Sequence, residues 1–160
     1  MKTTVVYYSM SGNTHQTALK IAEELGADTV RLEPVKEYPS KGFRKFIWGG
    51  KSAVMGEKPR LQPYSFDSSC DRVIFGSPVW ASNIAPPLRT FIAENRDALR
   101  GKRLALFLCF SGGGDDKAAE KLRQLLEIDG FEAQISLIDP VDKPSQENEE
   151  KIKNFCESLR

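Results

Sequence analysis

Two short stretches of the chain are apolar without interruption, and they constrain the fold more than any other feature. Val73, Ile74 and Phe75 form one of them, and residues 104–108 (LALFL) form the other. A strand with one face in water alternates apolar and polar residues, so a continuous apolar run indicates a strand covered on both faces. Such strands are typical of a parallel sheet enclosed between two layers of helices.

Strand-like and helix-like segments alternate along the whole chain. The predicted strands are Thr3–Ser9, Thr29–Glu33, Arg72–Gly76, Arg103–Phe110 and Glu132–Ile138. The predicted helices are Asn13–Leu25, Pro87–Asn95, Asp115–Ile128 and Gln146–Leu159. Apolar residues of the first helix recur every three or four positions, as on a buried helical face. This repeating order over 160 residues predicts one domain, residues 1–160, with a three-layer α/β/α sandwich fold.

The exception to this alternation is residues 36–66, which contain no clear strand pattern. Ser40–Met55 is predicted to be a helix, although each of two consecutive glycines weakens a helix by about 1 kcal/mol. The remainder is predicted to be an extended connection. The segment is also basic, because its lysines and arginines at positions 36, 41, 44, 45, 51, 58 and 60 outnumber its glutamates at 37 and 57. Its simplest interpretation is an amphipathic helix with solvated lysines, and the alternative is a docking surface for an acidic partner or for pyridine-nucleotide phosphates.

The composition is that of an ordinary globular protein, with 40% hydrophobic residues, 28% charged residues and a net charge of +1. This charge is too weak and too scattered to predict nucleic-acid binding. No apolar run is long enough to cross a bilayer, and no signal peptide begins the chain, so we expect no membrane partner. The three cysteines are far apart, which argues against a disulfide framework or a metal site. A reducing, cytoplasmic setting is expected.

The first predicted strand leads into a loop of small hydroxylated residues that precedes the first helix. Ser9, Ser11 and Thr14 carry hydroxyls, and Gly12 lies between them. The unpaired N–H groups at a helix N-terminus and the helix dipole both favour an anion there. An ordinary helix cap needs one hydroxyl rather than three. The pattern therefore predicts a phosphate-binding loop, and because the loop has no Lys or Arg, neutral donors would hold the phosphate.

Other phosphate-binding α/β proteins do not fit these residues. A nucleotide P-loop needs Gly-Lys-Ser/Thr and a dinucleotide-binding loop needs G-x-G-x-x-G after the first strand, and neither sequence is present. A response-regulator receiver needs acidic residues where Tyr7, Tyr8 and Ser9 stand. A cysteine phosphatase needs Arg six positions after its Cys, but Asp115 follows Cys109 at that distance. Cys109 is therefore interpreted as a core residue at the end of a strand.

Three loops with distinctive sequences follow the first, third and fourth predicted strands: Ser9–Thr14, Gly76–Asn83 and Cys109–Asp115. In open parallel sheets, ligands bind at the carboxyl ends of the strands, where such loops meet. The loops resemble, in order, the S/T-x-S/T-G-x-T phosphate loop, the G-x-P-x-W segment and the Gly-rich flavin loop of the flavodoxin family. The resemblance extends over essentially the whole chain, and Tyr38–Pro59 is similar to small bacterial proteins of this family. It implies a five-stranded parallel sheet of order 2-1-3-4-5.

The resemblance implies FMN as the cofactor and assigns three sets of residues to it. The phosphate would be bound by Ser9, Met10, Ser11, Gly12, Asn13 and Thr14. One face and edge of the isoalloxazine ring would lie along Pro78, Val79, Trp80, Ala81, Ser82 and Asn83. The pyrimidine side would meet the backbone of Ser111, Gly112, Gly113 and Gly114. Glycines allow such close backbone approach, and Trp80 offers a face for stacking or, alternatively, a partly buried anchor.

Three features distinguish the sequence from some members of this family. The last predicted strand is uninterrupted, as in the short-chain members. Electron-carrying flavodoxins are typically strongly acidic, whereas this chain is nearly neutral. Residues 80–83 contain no glycine, while the family's loop often has one whose peptide turns towards the reduced flavin. Asn83 is the residue in this loop that best tolerates left-handed backbone.

The sequence predicts an FMN-binding redox protein in which the flavin performs the electron chemistry and no side chain is catalytic. Two roles stay open: an electron carrier for a redox partner protein, and an FMN-dependent NAD(P)H:quinone-type oxidoreductase that reduces a small electron acceptor. A third hypothesis is a flavodoxin-fold interaction module that has lost FMN. His15, the single histidine, is interpreted as a solvated first-turn residue, with a role at the phosphate or as a proton donor near the cofactor as the alternative. The oligomeric state is left open.

Overall fold

The computed structural model describes residues 1–38 and 57–160, and the helix predicted at Ser40–Met55 lies outside these ranges. The strands are β1 (Thr3–Tyr7), β2 (Asp28–Arg31), β3 (Arg72–Trp80), β4 (Asn83–Ile84), β5 (Arg103–Phe110) and β6 (Gln134–Ile138). The helices in these ranges are α1 (Asn13–Leu25), α2 (Pro86–Glu94), α3 (Arg96–Leu99), α4 (Asp115–Leu126) and α5 (Gln146–Ser158). None of them is long and apolar enough to cross a membrane.

Five strands form a parallel sheet of order β2-β1-β3-β5-β6, so the predicted fold class and strand order are confirmed. Val5 of β1 lies opposite Thr29 of β2 on one side and opposite Ile74 of β3 on the other. Ile74 in turn pairs with Ala105 of β5. The two uninterrupted apolar runs therefore form β3, the central strand of the sheet, and its neighbour β5, each covered on both faces.

Alternate residues of β1 point to opposite faces of the sheet, as expected for a strand. Val6 joins the hydrophobic core that includes Phe75, Phe91 and Leu122, so α2 and α4 cover this face. Val5 and Tyr7 join a second core with α1 and α5 on the other face. The three-layer arrangement follows because each helix buries its apolar stripe against one side of the sheet.

The structure differs from the sequence-based boundaries mainly at β3, which continues to Trp80 instead of ending at Gly76. Ser77 and Pro78 were predicted as loop residues, but they pair with Leu108 and Cys109 of β5. The last two residues of β3 then form a short antiparallel hairpin with β4, an element absent from the prediction. The four-residue helix α3 was also missed. The extension of β3 matters because it carries Trp80 into the candidate site.

An ion pair closes the amino edge of the sheet. The Arg72 guanidinium is almost fully buried, and its Nε and Nη2 atoms each donate a 2.8 Å hydrogen bond to the Glu132 carboxylate. Its Nη1 atom donates to the carbonyl of Leu159, just beyond α5. These bonds hold the pKa of Glu132 below its ordinary value. Arg72 thereby joins β3, the start of β6 and the end of α5 at the edge opposite the predicted site.

Candidate functional site

A cavity of about 620 Å³ opens at the carboxyl edge of the sheet. Its volume lies in the range of roughly 300–1,000 Å³ typical of small-molecule sites. The predicted residues that line it come from all three loops: Met10, Ser11, Asn13, Thr14, Pro78, Val79, Trp80, Ala81, Ser111, Gly112, Gly113 and Gly114. Segments far apart in sequence therefore share one concave surface.

The first loop is shaped by Ser9 and Gly12, neither of which is among the residues lining the cavity. The Ser9 hydroxyl is buried and accepts hydrogen bonds from the N–H groups of Gly12 (3.3 Å) and His15 (3.0 Å). Gly12 has a φ of +97°, which a residue without a side chain adopts at little cost. Ser9 thus supports the first turn of α1, while Met10, Ser11, Asn13 and Thr14 line the cavity.

The open donors of this loop are the backbone N–H groups of Asn13 and Thr14. Each belongs to the first turn of α1, and neither donates to an acceptor within residues 1–38 and 57–160. Ser11 and Thr14, which carry hydroxyl groups, are among the residues lining the same cavity. Unpaired N–H groups at a helix N-terminus, combined with hydroxyl donors, form an anion-binding arrangement without a formal positive charge.

The Asn13 side chain is already engaged with the loop that follows β6. Its Oδ1 atom accepts hydrogen bonds from the N–H groups of Val141 (2.9 Å) and Asp142 (3.4 Å), and its Nδ2 atom donates to the Asp142 carboxylate at 3.1 Å. Asn13 therefore offers a ligand its backbone N–H, while its side chain fixes a fourth loop against the cavity.

Sequence reasoning missed this fourth loop, which contributes Asp139 and Asp142 to the cavity wall. Asp139 is buried, has a φ of +38°, and accepts a 2.8 Å hydrogen bond from the Ser111 hydroxyl. Neither aspartate belongs to a motif. The usable signal was topological, since the loop after the last parallel strand must emerge at the same edge as the other three.

The second loop is a tight hairpin in which Trp80 pairs with Asn83. Its two central residues, Ala81 and Ser82, have φ values of +49° and +60°. Two positive φ values define a type I′ turn, which ordinarily takes Asn-Gly. Left-handed backbone costs a residue with a side chain roughly 1–2 kcal/mol. The expectation that Asn83 best suits left-handed backbone does not describe this turn, because Ala81 and Ser82 adopt it while Asn83 is buried beneath.

The third loop contacts the hairpin directly. Gly114 has a φ of +85°, and a β-carbon built there would lie only 2.6 Å from the Ser82 hydroxyl oxygen. At Gly112, by contrast, a β-carbon would meet nothing within 4 Å. Neither Ser82 nor Asn83 is among the residues lining the cavity. The close contact of Ser82 with Gly114 instead sets the spacing between the two loops that line it.

Comparison with known proteins supports this architecture. Residues 62–136 match the family model of the flavodoxin domain. A flavoprotein from Lactobacillus acidophilus NCFM, solved in complex with FMN, is 20% identical over 88% of this chain and 95% of that chain, with a TM-score of 0.71. A candidate flavoprotein from Bacteroides eggerthii DSM 20697 is 20% identical over 98% of this chain and 96% of that chain, with a TM-score of 0.74. The resemblance to the flavodoxin domain is confirmed over residues 62–136.

A two-electron reduced flavodoxin from Megasphaera elsdenii is also similar, at 18% identity over 98% of this chain and 96% of that chain, with a TM-score of 0.58. At these identities the solved structures show that the fold is flavodoxin-like. No curated protein matched the sequence.

In this flavodoxin-like fold, Trp80 packs against two tyrosines as well as lining the cavity. Its ring centroid lies 5.5 Å from that of Tyr8 and 5.3 Å from that of Tyr38, both in edge-on geometry. Tyr8 is buried, and burial raises the pKa of its phenol. These contacts support the interpretation of Trp80 as a partly buried anchor, while its position in the cavity wall leaves the stacking prediction in place.

Burial shifts the pKa of two titratable groups near the first loop in the direction that favours their neutral forms. Burial raises the pKa of the Cys109 thiol to about 11, so it stays protonated at neutral pH, as a core cysteine does. His15 lies outside the cavity lining, with its Nδ1 atom 2.6 Å from the Tyr7 hydroxyl, and burial lowers its pKa. Within the described residues, no group of three or more His, Cys, Asp or Glu side chains could hold a metal ion.

Proposed function

We propose that this flavodoxin-like protein binds FMN in the cavity at the carboxyl edge and acts as a redox protein. The observation that carries the proposal is that a hydroxyl-rich loop, an aromatic hairpin and a glycine-rich loop line one cavity. The match to the flavodoxin domain and the FMN complex of the Lactobacillus protein support it. FMN would supply the electron chemistry, while the protein would bind, orient and shield it.

The phosphate end of FMN fits the start of α1. The N–H groups of Asn13 and Thr14 are open donors, and the hydroxyls of Ser11 and Thr14 add two more. A phosphate gains from these donors and from the helix dipole together. The carboxylates of Asp139 and Asp142 belong to residues that also line the cavity. A carboxylate accepts hydrogen bonds from hydroxyl groups and repels an anion, so these residues favour a sugar-alcohol chain beside the phosphate rather than a second anion.

The flavin ring fits between the second and third loops. Val79, Trp80 and Ala81 supply an apolar wall, and Gly112 and Gly113 supply a backbone wall without side chains. A planar aromatic ligand is favoured by an apolar face and by backbone amides that can approach its polar edge closely. Cys109 is also among the residues lining the cavity, and because burial raises the pKa of its thiol to about 11, it offers no thiolate at neutral pH. The protein's part in the reaction is therefore placement and exclusion of water.

Two redox roles follow from this site: a carrier that passes electrons to a partner protein, and a two-electron reductase of quinone-like acceptors. The lack of a recognisable NAD(P)-binding motif in these 160 residues favours the carrier. The near-neutral charge and the glycine-free hairpin favour the reductase. An anaerobic redox titration separates them, because a carrier shows two resolved one-electron steps and a two-electron reductase shows one.

FMN binding is tested by titrating the apoprotein with FMN and with riboflavin and following the quenching of flavin fluorescence. We expect FMN to bind more tightly than riboflavin. We expect Thr14→Val to weaken FMN binding about tenfold, the scale of one hydrogen bond to a charged group, and riboflavin binding much less. Thr29→Val, an exposed change on β2, is the matched control. Failure of the wild type to bind FMN would overturn the proposal and favour the interaction module that has lost its cofactor.

A further inference from the structure

We propose that Arg89 is a positioning residue that fixes the strained hairpin of the candidate site through Asn83. The proposal deepens the proposed function, because this hairpin forms one wall of the cavity assigned to FMN. It rests on three groups connected in series: the Arg89 guanidinium, the Asn83 amide and the Ala81 carbonyl.

The left-handed backbone of the hairpin requires stabilising contacts. Ala81 and Ser82 both adopt left-handed backbone, which neither residue type favours. The peptide that joins them is the central peptide of the turn, and its orientation decides the turn type. If this peptide rotated, the carbonyl of Ala81 and the N–H of Ser82 would exchange sides. The wall of the cavity formed by Ala81 would then change its hydrogen-bonding character.

Asn83 holds that peptide from below. Its Nδ2 atom donates a 3.2 Å hydrogen bond to the carbonyl of Ala81, and only 5% of the residue is exposed. Its Oδ1 atom accepts a 3.3 Å hydrogen bond from Nη2 of Arg89. A carbonyl can only accept and a guanidinium can only donate, so the two ends of the amide are not interchangeable. Arg89 and the Ala81 carbonyl therefore fix together which way the Asn83 amide points.

In the described part of the chain, the Arg89 side chain makes no other hydrogen bond. It makes no ion pair there, its Nε atom is buried without an acceptor, and Asn83 is its one hydrogen-bonded partner. Burial lowers the pKa of its guanidinium. A half-buried cation without a carboxylate is an unfavourable arrangement for stability alone. A charge-assisted hydrogen bond is stronger than a neutral one, which is the property that a residue holding a strained turn requires.

The position of the hairpin also affects the opposite wall of the cavity, because the two are in contact. Ser82 packs so closely on Gly114 that no side chain fits between them. A turn of different geometry would move Ser82 and therefore change the distance between the hairpin and the Gly-rich loop. Arg89 and Asn83 thus control the width of the cavity without lining it.

The test uses the full chain without FMN first, so that its outcome is independent of the proposed function. Arg89→Met keeps much of the side-chain volume but removes the donor, Arg89→Lys keeps a charged donor, and Asn83→Ala removes both hydrogen bonds. Arg100→Met is the matched control, because Arg100 is an exposed cation at the opposite edge of the sheet whose one ion-pair partner among residues 1–38 and 57–160 is Asp97. The readouts are the backbone carbon chemical shifts of Ala81 and Ser82 and the hydrogen exchange of the Asn83 and Ile84 amides.

We expect Arg89→Met to shift the Ala81 and Ser82 signals away from left-handed values and to speed exchange at both amides about tenfold, the scale of losing a hydrogen bond to a charged group. Asn83→Ala should produce the same shifts, and the double variant should add little to either single one. Arg89→Lys should restore the signals in large part, and Arg100→Met should leave them unchanged. Unaltered shifts and exchange in Arg89→Met would overturn the proposal.

Flavin binding supplies the second readout. If FMN binds the wild type, Arg89→Met should raise the FMN dissociation constant and shift the midpoint potential of the bound flavin. The double change Ala81→Gly and Ser82→Gly should reduce the effect of Arg89→Met on the dissociation constant to less than about twofold, because glycine adopts the turn without support. If the wild type does not bind FMN, the proposed function fails, while the chemical shifts still decide the role of Arg89.

Discussion

The Nδ2 atom of Asn13 lies 3.1 Å from the Asp142 carboxylate and joins the start of α1 to a loop 129 residues away. Asn13 is buried, and it also accepts hydrogen bonds from two backbone N–H groups of that loop. One side chain therefore connects the predicted phosphate loop to the loop after β6. Among the residues lining the cavity, Asp139 and Asp142 belong to that loop.

We expect Asn13→Ala to lower the free energy of unfolding by about 1–2 kcal/mol, because it removes buried hydrogen bonds in a polar setting. Urea denaturation of the apoprotein measures this change. Gln16→Ala, an exposed substitution on the same helix, serves as the control. Equal stability of the two variants would show that the Asn13 side chain does not hold the loop.

Asp142→Asn tests the electrostatics of the cavity. The substitution keeps an oxygen that can accept from Asn13 but removes a negative charge from the wall. If FMN binds with its phosphate at the start of α1, its affinity should rise by about two- to fivefold at low salt, because a charge repulsion of about 0.5–1 kcal/mol is removed. Riboflavin, which has no phosphate, should gain little.

The gain should shrink as salt is added, since mobile ions screen the repulsion. Asp129→Asn removes an equal charge from an exposed position beyond α4 and should leave FMN affinity unchanged. An equal gain for riboflavin and FMN would contradict a phosphate position near Asp142.

Two glycines of the third loop provide a matched pair of substitutions. Gly114→Ala forces a side chain into left-handed backbone and against Ser82, so we expect a loss of roughly 1–3 kcal/mol of stability together with weaker FMN binding. Gly112→Ala places its methyl group in open space and should change stability by less than about 0.5 kcal/mol. Thermal unfolding and FMN titration of both variants measure these effects. Similar losses of stability in both variants would mean that the contact between Gly114 and Ser82 is unimportant for folding.

The sequence predicted the central elements well because their signals are local. The apolar runs of β3 and β5 and the periodicity of α1 are readable residue by residue, and α1 and β5 have the predicted boundaries. The end of β3 was wrong because Gly76, Ser77 and Pro78 are typical of loops, and only pairing with β5 extends the strand through them. Tertiary pairing overrides such local preferences.

The same distinction applies to the candidate site. Hydroxyls, glycines and Trp80 were recognisable as sequence motifs, whereas Asp139 and Asp142 join the cavity through a contact with Asn13 that no local pattern encodes. Ser9 and Asn83 were predicted as cofactor ligands, and the structure places each of them behind the wall, where it supports the backbone. Sequence motifs thus identify the loops, and packing decides which residue of each loop faces the cavity.

Acid should destabilise the protein through Glu132. Hydrogen bonds from Arg72 lower the pKa of this carboxyl in the folded state below its ordinary 4.5. The unfolded chain therefore binds a proton at higher pH than the folded protein, and the stabilisation is complete above about pH 5 and is lost as the pH falls through the folded-state pKa. Removing the carboxylate also leaves the buried Arg72 guanidinium without its bidentate partner.

Glu132→Gln should consequently be less stable than the wild type at pH 7, and the gap between them should narrow steadily from about pH 5 to pH 3 as the wild-type carboxyl becomes protonated. Urea denaturation across this range measures the gap. Glu23→Gln, which alters an exposed carboxylate on α1, should follow the wild-type pH profile throughout. A gap that stayed constant between pH 7 and pH 3 would show that the charge of Glu132 does not contribute, and that the cost of Glu132→Gln comes from packing alone.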